Sequence, residues 1–174
     1  MERTIVLTTL AVGVKNRTSK AILTILCLLG LFWHIGFYDG CPLWNHIVYS
    51  FSHANIFHLA VNLIVLWSIK NKMQTIPALI IAIVASYLPM YVSSPTVGLS
   101  GFLFAVFGLM WGKTGRLLDA VKKVMPFIII TMLIPNMNGL LHLYTFGIGF
   151  MTGFLVDFTI RFIIFFHKVK GGHS

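Results

Sequence analysis

Six apolar segments separated by short polar stretches constrain this chain more than any other feature of its sequence. They cover approximately residues 21–38, 52–69, 74–93, 100–113, 123–137 and 142–166. A helix that spans a bilayer needs about 20 apolar residues, and fewer where a bundle buries it. Only 10% of the residues are charged, whereas about a quarter are charged in soluble domains. The sequence therefore predicts an all-α membrane protein with six transmembrane helices.

The distribution of basic residues supports this count. Lys and Arg occur before the first segment, after the second, after the fourth and around the end of the sixth, but residues 38–52, 94–99 and 138–141 contain none. The positive-inside rule then places both termini in the cytoplasm. We expect a multi-pass protein of the plasma or inner membrane with one domain, residues 21–167, and cytoplasmic tails at residues 1–20 and 168–174.

The net charge of +9 does not indicate a nucleic-acid partner. The basic residues form separate patches on one face of the membrane, so anionic lipid headgroups of the bilayer explain them better. Cys27 lies within a segment and Cys41 in a loop, a separation that predicts neither a mutual disulfide nor a zinc site. We expect no metal and no cofactor.

The fourth segment is short. From Ser100 to Lys113 it has 14 residues, or about 20 Å of helix, against a hydrocarbon core of about 30 Å. With Lys113 at the inner face, Ser100 lies below the outer surface, and residues 91–99 must dip inward around a water-filled cavity. A serine needs a base to become a nucleophile, and His142, at the mouth of the sixth segment, is a candidate. This pair predicts a hydrolase with its active site open to the outer face.

Three polar residues of the second segment lie at the same level as Ser100. His58 and Asn62 are four residues apart and share one helix face, while His53 lies on a neighbouring stripe. Imidazole and amide groups are costly in lipid and normally face the interior of a bundle. Their N–H groups would suit the oxyanion that forms when an acyl carbonyl is attacked.

Three motifs recur at set positions along the segments: His53-x4-His58-x3-Asn62 on the second, Gly98-x-Ser100-Gly101 with Gly108 on the fourth, and His142 at the start of the sixth. In order, spacing and span number, over residues from about 21 to 166, they resemble the rhomboid intramembrane serine proteases. The resemblance implies a six-helix bundle with a short central fourth helix, and transmembrane proteins as substrates.

The resemblance also implies a role for each matching residue. Ser100 corresponds to the nucleophile and His142 to the general base of a dyad that has no acidic third member. His58 and Asn62 correspond to side chains that hold the oxyanion together with the Ser100 backbone N–H. The resemblance implies supporting roles for His53, Gly98, Gly101, Phe104, Gly108 and Gly149.

The chain departs from the rhomboid pattern at three positions. The first outer loop has Trp44-Asn45 instead of a Trp-Arg pair, and Phe104 replaces a tyrosine that packs on the catalytic imidazole. Thr145 stands where a glycine is usual on the sixth helix. Small residues that favour close helix contact in lipid nevertheless recur at Gly149 and Gly153.

Simpler structural roles remain open for several of these residues. Ser100 could be a helix N-cap, and His58 and Asn62 could be hydrogen-bonding links between helices. Asp157 and Arg161, four residues apart, are most simply a local ion pair.

Other functions also remain open. A rhomboid-like protein that binds membrane proteins without cutting them is one alternative. A haem or metal protein that uses His34, His53, His58 and His142 is another. A transporter is disfavoured, because Asp157 and Arg161 are the charged residues within the segments, apart from Lys113 and Lys123 at segment ends, and neither lies near the midplane.

Overall fold

The computed structural model describes residues 16–70, 73–90, 94–135 and 137–171. The expectations for residues 1–15, 91–93 and 172–174 lie outside the described residues. The described part is helical, apart from one isolated β-bridge between Phe37 and Thr96. Its helices are α1 (Asn16–Gly30), α2 (Leu43–Val48), α3 (Ile56–Ser68), α4 (Thr75–Ala85), α5 (Ser100–Gly112), α6 (Leu117–Leu133) and α7 (Gly139–Gly171).

Each predicted apolar segment overlaps one helix, but several ends differ. The first segment was expected to stay helical to residue 38, yet α1 ends at Gly30. A Cβ at Gly30 would lie 3.1 Å from the Ser52 backbone nitrogen, so the chain crosses another segment closely there. The second segment was expected to begin at residue 52, but α3 begins at Ile56 because the Asn55 side chain accepts a 2.9 Å hydrogen bond from the His58 N–H. The predicted placement of His53 on this helix is therefore wrong.

Helix lengths differ widely. By length and composition, Gly139–Lys168 of α7 is long and apolar enough to cross a membrane, whereas α3, α4 and α5 are apolar but shorter. Many large apolar side chains are exposed on the helices. Such a surface suits lipid rather than water.

The predicted ion pair on α7 is confirmed, because Arg161 Nε donates a 2.6 Å hydrogen bond to Asp157 Oδ2.

Helices α5 and α7 pack together through glycines. Eight of the 13 residues of α5 are buried. A Cβ at Gly149 would lie 2.6 Å from the Ala105 carbonyl oxygen, and one at Gly153 would lie 2.5 Å from the Leu109 carbonyl oxygen. The two backbones touch because neither glycine has a side chain. The close contact predicted from the spacing of these glycines is present.

The segment between α1 and α3 is held by buried polar contacts. Asn45 Nδ2 donates a 2.7 Å hydrogen bond to the Gly36 carbonyl, and the His46 ring contacts Ser86 Oγ through Nδ1 at 2.8 Å. Burial lowers the pKa of His46 below its usual value. Cys27 and Cys41 are both free, as predicted. Asn45 thus anchors this loop where the rhomboid pattern has an arginine.

Candidate active site

Ser100 and His142, 42 residues apart in sequence, meet at the start of α5 and α7. The distance between Ser100 Oγ and His142 Nε2 is 2.8 Å. Ser100 is the first residue of α5, and His142 lies in the first turn of α7. The imidazole is buried, whereas Ser100 is partly accessible. A reactant could therefore reach the hydroxyl while the imidazole behind it stays shielded from water.

Ser100 does not cap its helix. Leu99 occupies the N-cap position of α5, and no side chain accepts a hydrogen bond from the first turn there. The N-cap interpretation of Ser100 is therefore wrong. Its hydroxyl bonds to an imidazole instead, and the positive end of the helix dipole lies beside it.

The His142 ring is held on two further sides. Phe104, one turn after Ser100 on α5, stacks on it with ring centroids 4.5 Å apart and planes 23° apart. On the edge opposite Ser100, Nδ1 lies 2.9 Å from Thr131 Oγ1 on α6. Both ring nitrogens thus contact hydroxyl oxygens.

Within the described segments, no three His, Cys, Asp or Glu side chains are grouped to hold a metal ion.

His58 and Asn62 lie against the backbone that leads to Ser100. Gly98 has φ of +119°, a value that favours glycine. A Cβ there would be 2.6 Å from His58 Cε1 and 3.5 Å from Asn62 Nδ2. Asn62 is buried, and among the described residues its Nδ2 is one of the few buried polar atoms without a hydrogen-bond partner. Burying an unpaired donor costs free energy, so such a group often marks a functional site.

His53 supports this group from outside the helix. Its ring lies 5.3 Å from the ring of His58 in an edge-to-face arrangement, and its Nδ1 is 3.0 Å from the Phe51 carbonyl oxygen. The structure thus gathers His53, His58 and Asn62 on the side of Gly98 that faces α3.

The loop before Ser100 is tied down at three points. Thr96 and Phe37 exchange backbone hydrogen bonds of 2.9 and 3.0 Å, and the Gly98 N–H donates to the Tyr49 carbonyl at 3.0 Å. Asn138 Nδ2 donates to Thr96 Oγ1 at 3.1 Å, while Asn138 Oδ1 accepts from the Leu141 N–H at 3.0 Å. Asn138 therefore caps α7 and fixes it to the loop that carries the serine.

Sequence analysis missed Thr131, Asn138 and Tyr49. An asparagine just before an apolar segment is an N-cap signal, so Asn138 could have been found. Nothing in the sequence around Thr131 indicates that it contacts His142.

A family model described as the Rhomboid domain matches residues 40–166. The chain belongs to the rhomboid family. The match covers well over half of the chain and contains Ser100 and His142 as well as His53, His58 and Asn62. No curated protein matches the chain in a sequence comparison.

Membership confirms the resemblance and, with the helical fold, makes this rhomboid protein an all-α membrane protein. Rhomboid proteins generally are serine proteases that act on transmembrane substrates within the bilayer, and the family also has inactive members. Which of the two describes this chain depends on the chemistry of its own site.

Proposed function

We propose that this rhomboid protein is an intramembrane serine endopeptidase that hydrolyses peptide bonds in or beside transmembrane segments of its substrates. Ser100 is the nucleophile and His142 the general base. The observation that carries this proposal is the 2.8 Å contact between Ser100 Oγ and His142 Nε2. A hydroxyl and an imidazole at that distance can exchange a proton directly.

We propose a topology of six spans, formed by α1 and α3 to α7, in a plasma or inner membrane with both termini in the cytoplasm. Charge placement supports this orientation. Helix α5 has 13 residues, or about 20 Å, which is shorter than a hydrocarbon core of about 30 Å. Ser100 therefore lies below the outer surface, and the short central helix sets its depth.

The reaction begins when His142 Nε2 takes the proton of the Ser100 hydroxyl and Oγ attacks the scissile carbonyl carbon. The resulting oxyanion is held by the Ser100 backbone N–H together with His58 and Asn62. His142 then gives its proton to the leaving amine, and water hydrolyses the acyl-enzyme by the same steps in reverse order. The unpaired Asn62 Nδ2 supports the oxyanion role, because a donor without a partner is available to the developing charge.

The site also restricts its substrate. A transmembrane helix satisfies all its backbone hydrogen bonds internally, so its scissile carbonyl is covered by the helix itself. Because Ser100 lies at the start of a buried helix, the substrate must unwind locally before the carbonyl reaches Oγ. We therefore expect cleavage where residues that destabilise helices occur near the outer face.

Labelling with a fluorophosphonate tests the nucleophile. We expect an adduct on the peptide that contains Ser100, because the reagent requires an activated serine, and no adduct in Ser100→Ala. The control Ser68→Ala removes an exposed serine whose hydroxyl bonds to Val65 of its own helix, and it should label normally. Mass spectrometry of protein in native membranes checks the result. If the folded wild-type protein formed no adduct, the proposal would be wrong and the chain would be an inactive member of the rhomboid family.

The oxyanion role of Asn62 predicts a kinetic change. Asn62→Ala should lower kcat about 10²- to 10³-fold with little change in KM, because the lost donor acts mainly on the transition state. Steady-state cleavage of a transmembrane reporter in proteoliposomes measures both constants. The control Val61→Ala changes an exposed neighbour on the same helix and should leave kcat unchanged. An equal kcat in Asn62→Ala would remove Asn62 from the mechanism.

A further inference from the structure

Thr131 lies on the opposite edge of the His142 ring from Ser100. Its Oγ1 is 2.9 Å from His142 Nδ1 and 2.7 Å from the Ile128 carbonyl oxygen on its own helix. A hydroxyl has one hydrogen to donate, and a carbonyl oxygen only accepts. The Thr131 hydrogen therefore goes to Ile128, and Oγ1 accepts the hydrogen on Nδ1.

We propose that Thr131 is a positioning residue that holds His142 as the Nδ1–H tautomer. With the hydrogen on Nδ1, the lone pair of Nε2 faces the Ser100 hydroxyl and can take its proton. The opposite tautomer would direct an N–H at Ser100 Oγ and could not act as a base. The catalytic consequence rests on the proposed function of Ser100 and His142, whereas the tautomer itself does not.

The packing of α6 against α7 explains why Thr131 reaches the ring. A Cβ at Gly139 would lie 2.8 Å from the Met132 nitrogen and 2.9 Å from Met132 Cα. The first turn of α7 therefore touches the last turn of α6, which ends at Leu133. Thr131, one residue before this contact, is thus brought next to His142, and the glycine makes the approach possible.

These contacts form one directional row of hydrogen bonds. Ser100 donates to His142, His142 donates to Thr131, and Thr131 donates to Ile128. The row joins α5, α7 and α6. When Nε2 accepts the serine proton, the ring becomes positive, and the Nδ1–H bond to Thr131 strengthens because its donor is then charged. Thr131 therefore supports the base both before and during proton transfer.

Two substitutions at Thr131 separate the effect of its hydroxyl group on kcat from the effect of its side-chain shape. Thr131→Val should lower kcat about tenfold with KM unchanged, because one hydrogen bond to the base is lost. Thr131→Ser keeps the hydroxyl and should restore kcat to near the wild-type value. The control Thr159→Val removes a hydroxyl that bonds to Leu155 of its own helix, and it should not change kcat. Equal kcat values for wild type and Thr131→Val would overturn the catalytic consequence.

Nitrogen NMR of protein labelled with ¹⁵N-histidine tests the tautomer without any activity. The His142 signals are assigned by their loss in His142→Asn. We expect a protonated Nδ1 and an unprotonated Nε2 in the wild type, and a rise of the Nε2–H form in Thr131→Val. A wild-type ring protonated on Nε2 alone would overturn the proposal, even if Ser100 is reactive. A protonated Nδ1 together with an unreactive Ser100 would support the proposal and contradict the proposed protease.

Discussion

His142→Ala should reduce cleavage of a transmembrane substrate by about 10²- to 10⁴-fold, the range that a general base contributes. Without the imidazole, the Ser100 hydroxyl keeps its proton and remains a weak nucleophile. The helices should stay folded, because α5 and α7 touch through their backbones at Gly149 and Gly153, away from the ring. kcat/KM in proteoliposomes, with thermal unfolding measured in parallel, checks both statements.

A second histidine on the same helix provides the matched control. His167 lies on α7 and is exposed, so His167→Ala should cleave at the wild-type rate. Fluorophosphonate labelling of Ser100 should be lost in His142→Ala and kept in His167→Ala. If His142→Ala retained more than a tenth of the wild-type kcat/KM while folded, His142 would not be the base.

Gly149→Ala should destabilise the protein by about 2 to 3 kcal/mol, at the upper end for one added methyl group in a packed interior. The new Cβ would lie 2.6 Å from the Ala105 carbonyl oxygen and 3.2 Å from Gly108 Cα. These are backbone atoms of α5 and cannot rotate away, so the helices must separate. Separation also moves His142 from Ser100, because α5 and α7 carry the two groups. Cleavage rate and stability should therefore fall together.

Gly147→Ala tests whether position, rather than the residue type, causes this effect. Gly147 is on the same helix, but a Cβ there would meet nothing within 4 Å. We expect a neutral or slightly stabilising change of up to about 1 kcal/mol, because alanine favours a helix more than glycine does. Reversible unfolding in detergent micelles compares the two variants. Equal stability of Gly149→Ala and wild type would show that α5 and α7 are not in backbone contact.

Local patterns predicted much of the fold and site, because helices in lipid leave strong signals in sequence. Apolar segments located the helices, and glycines four residues apart predicted the α5–α7 contact. The proximity of Ser100 and His142 followed from their positions at the mouths of two segments and from the rhomboid resemblance. Each of these inferences depends on spacing along one helix or on position relative to a membrane surface, which a single sequence records.

The features that were missed depend on contacts between distant segments. Helix α3 begins only after Asn55, whose side chain caps it, so His53 lies in a loop. Thr131 resembles any threonine in an apolar helix until α7 packs beside it. Asn45 has its role only because the Gly36 carbonyl lies 2.7 Å away. Propensity and hydropathy do not encode such partners, since they describe residues one at a time.

The hydroxyl of Thr131 occupies the place where the Ser-His-Asp arrangement has a carboxylate. An ionised carboxylate is costly within the bilayer, by about 2.5 to 3.5 kcal/mol at the membrane centre and less near the end of a helix, where Thr131 lies. In the proposed topology, a threonine adds no such cost to α6. In the proposed mechanism, the serine chemistry therefore takes place in lipid without a permanently ionised partner for His142, and charge separates only during turnover.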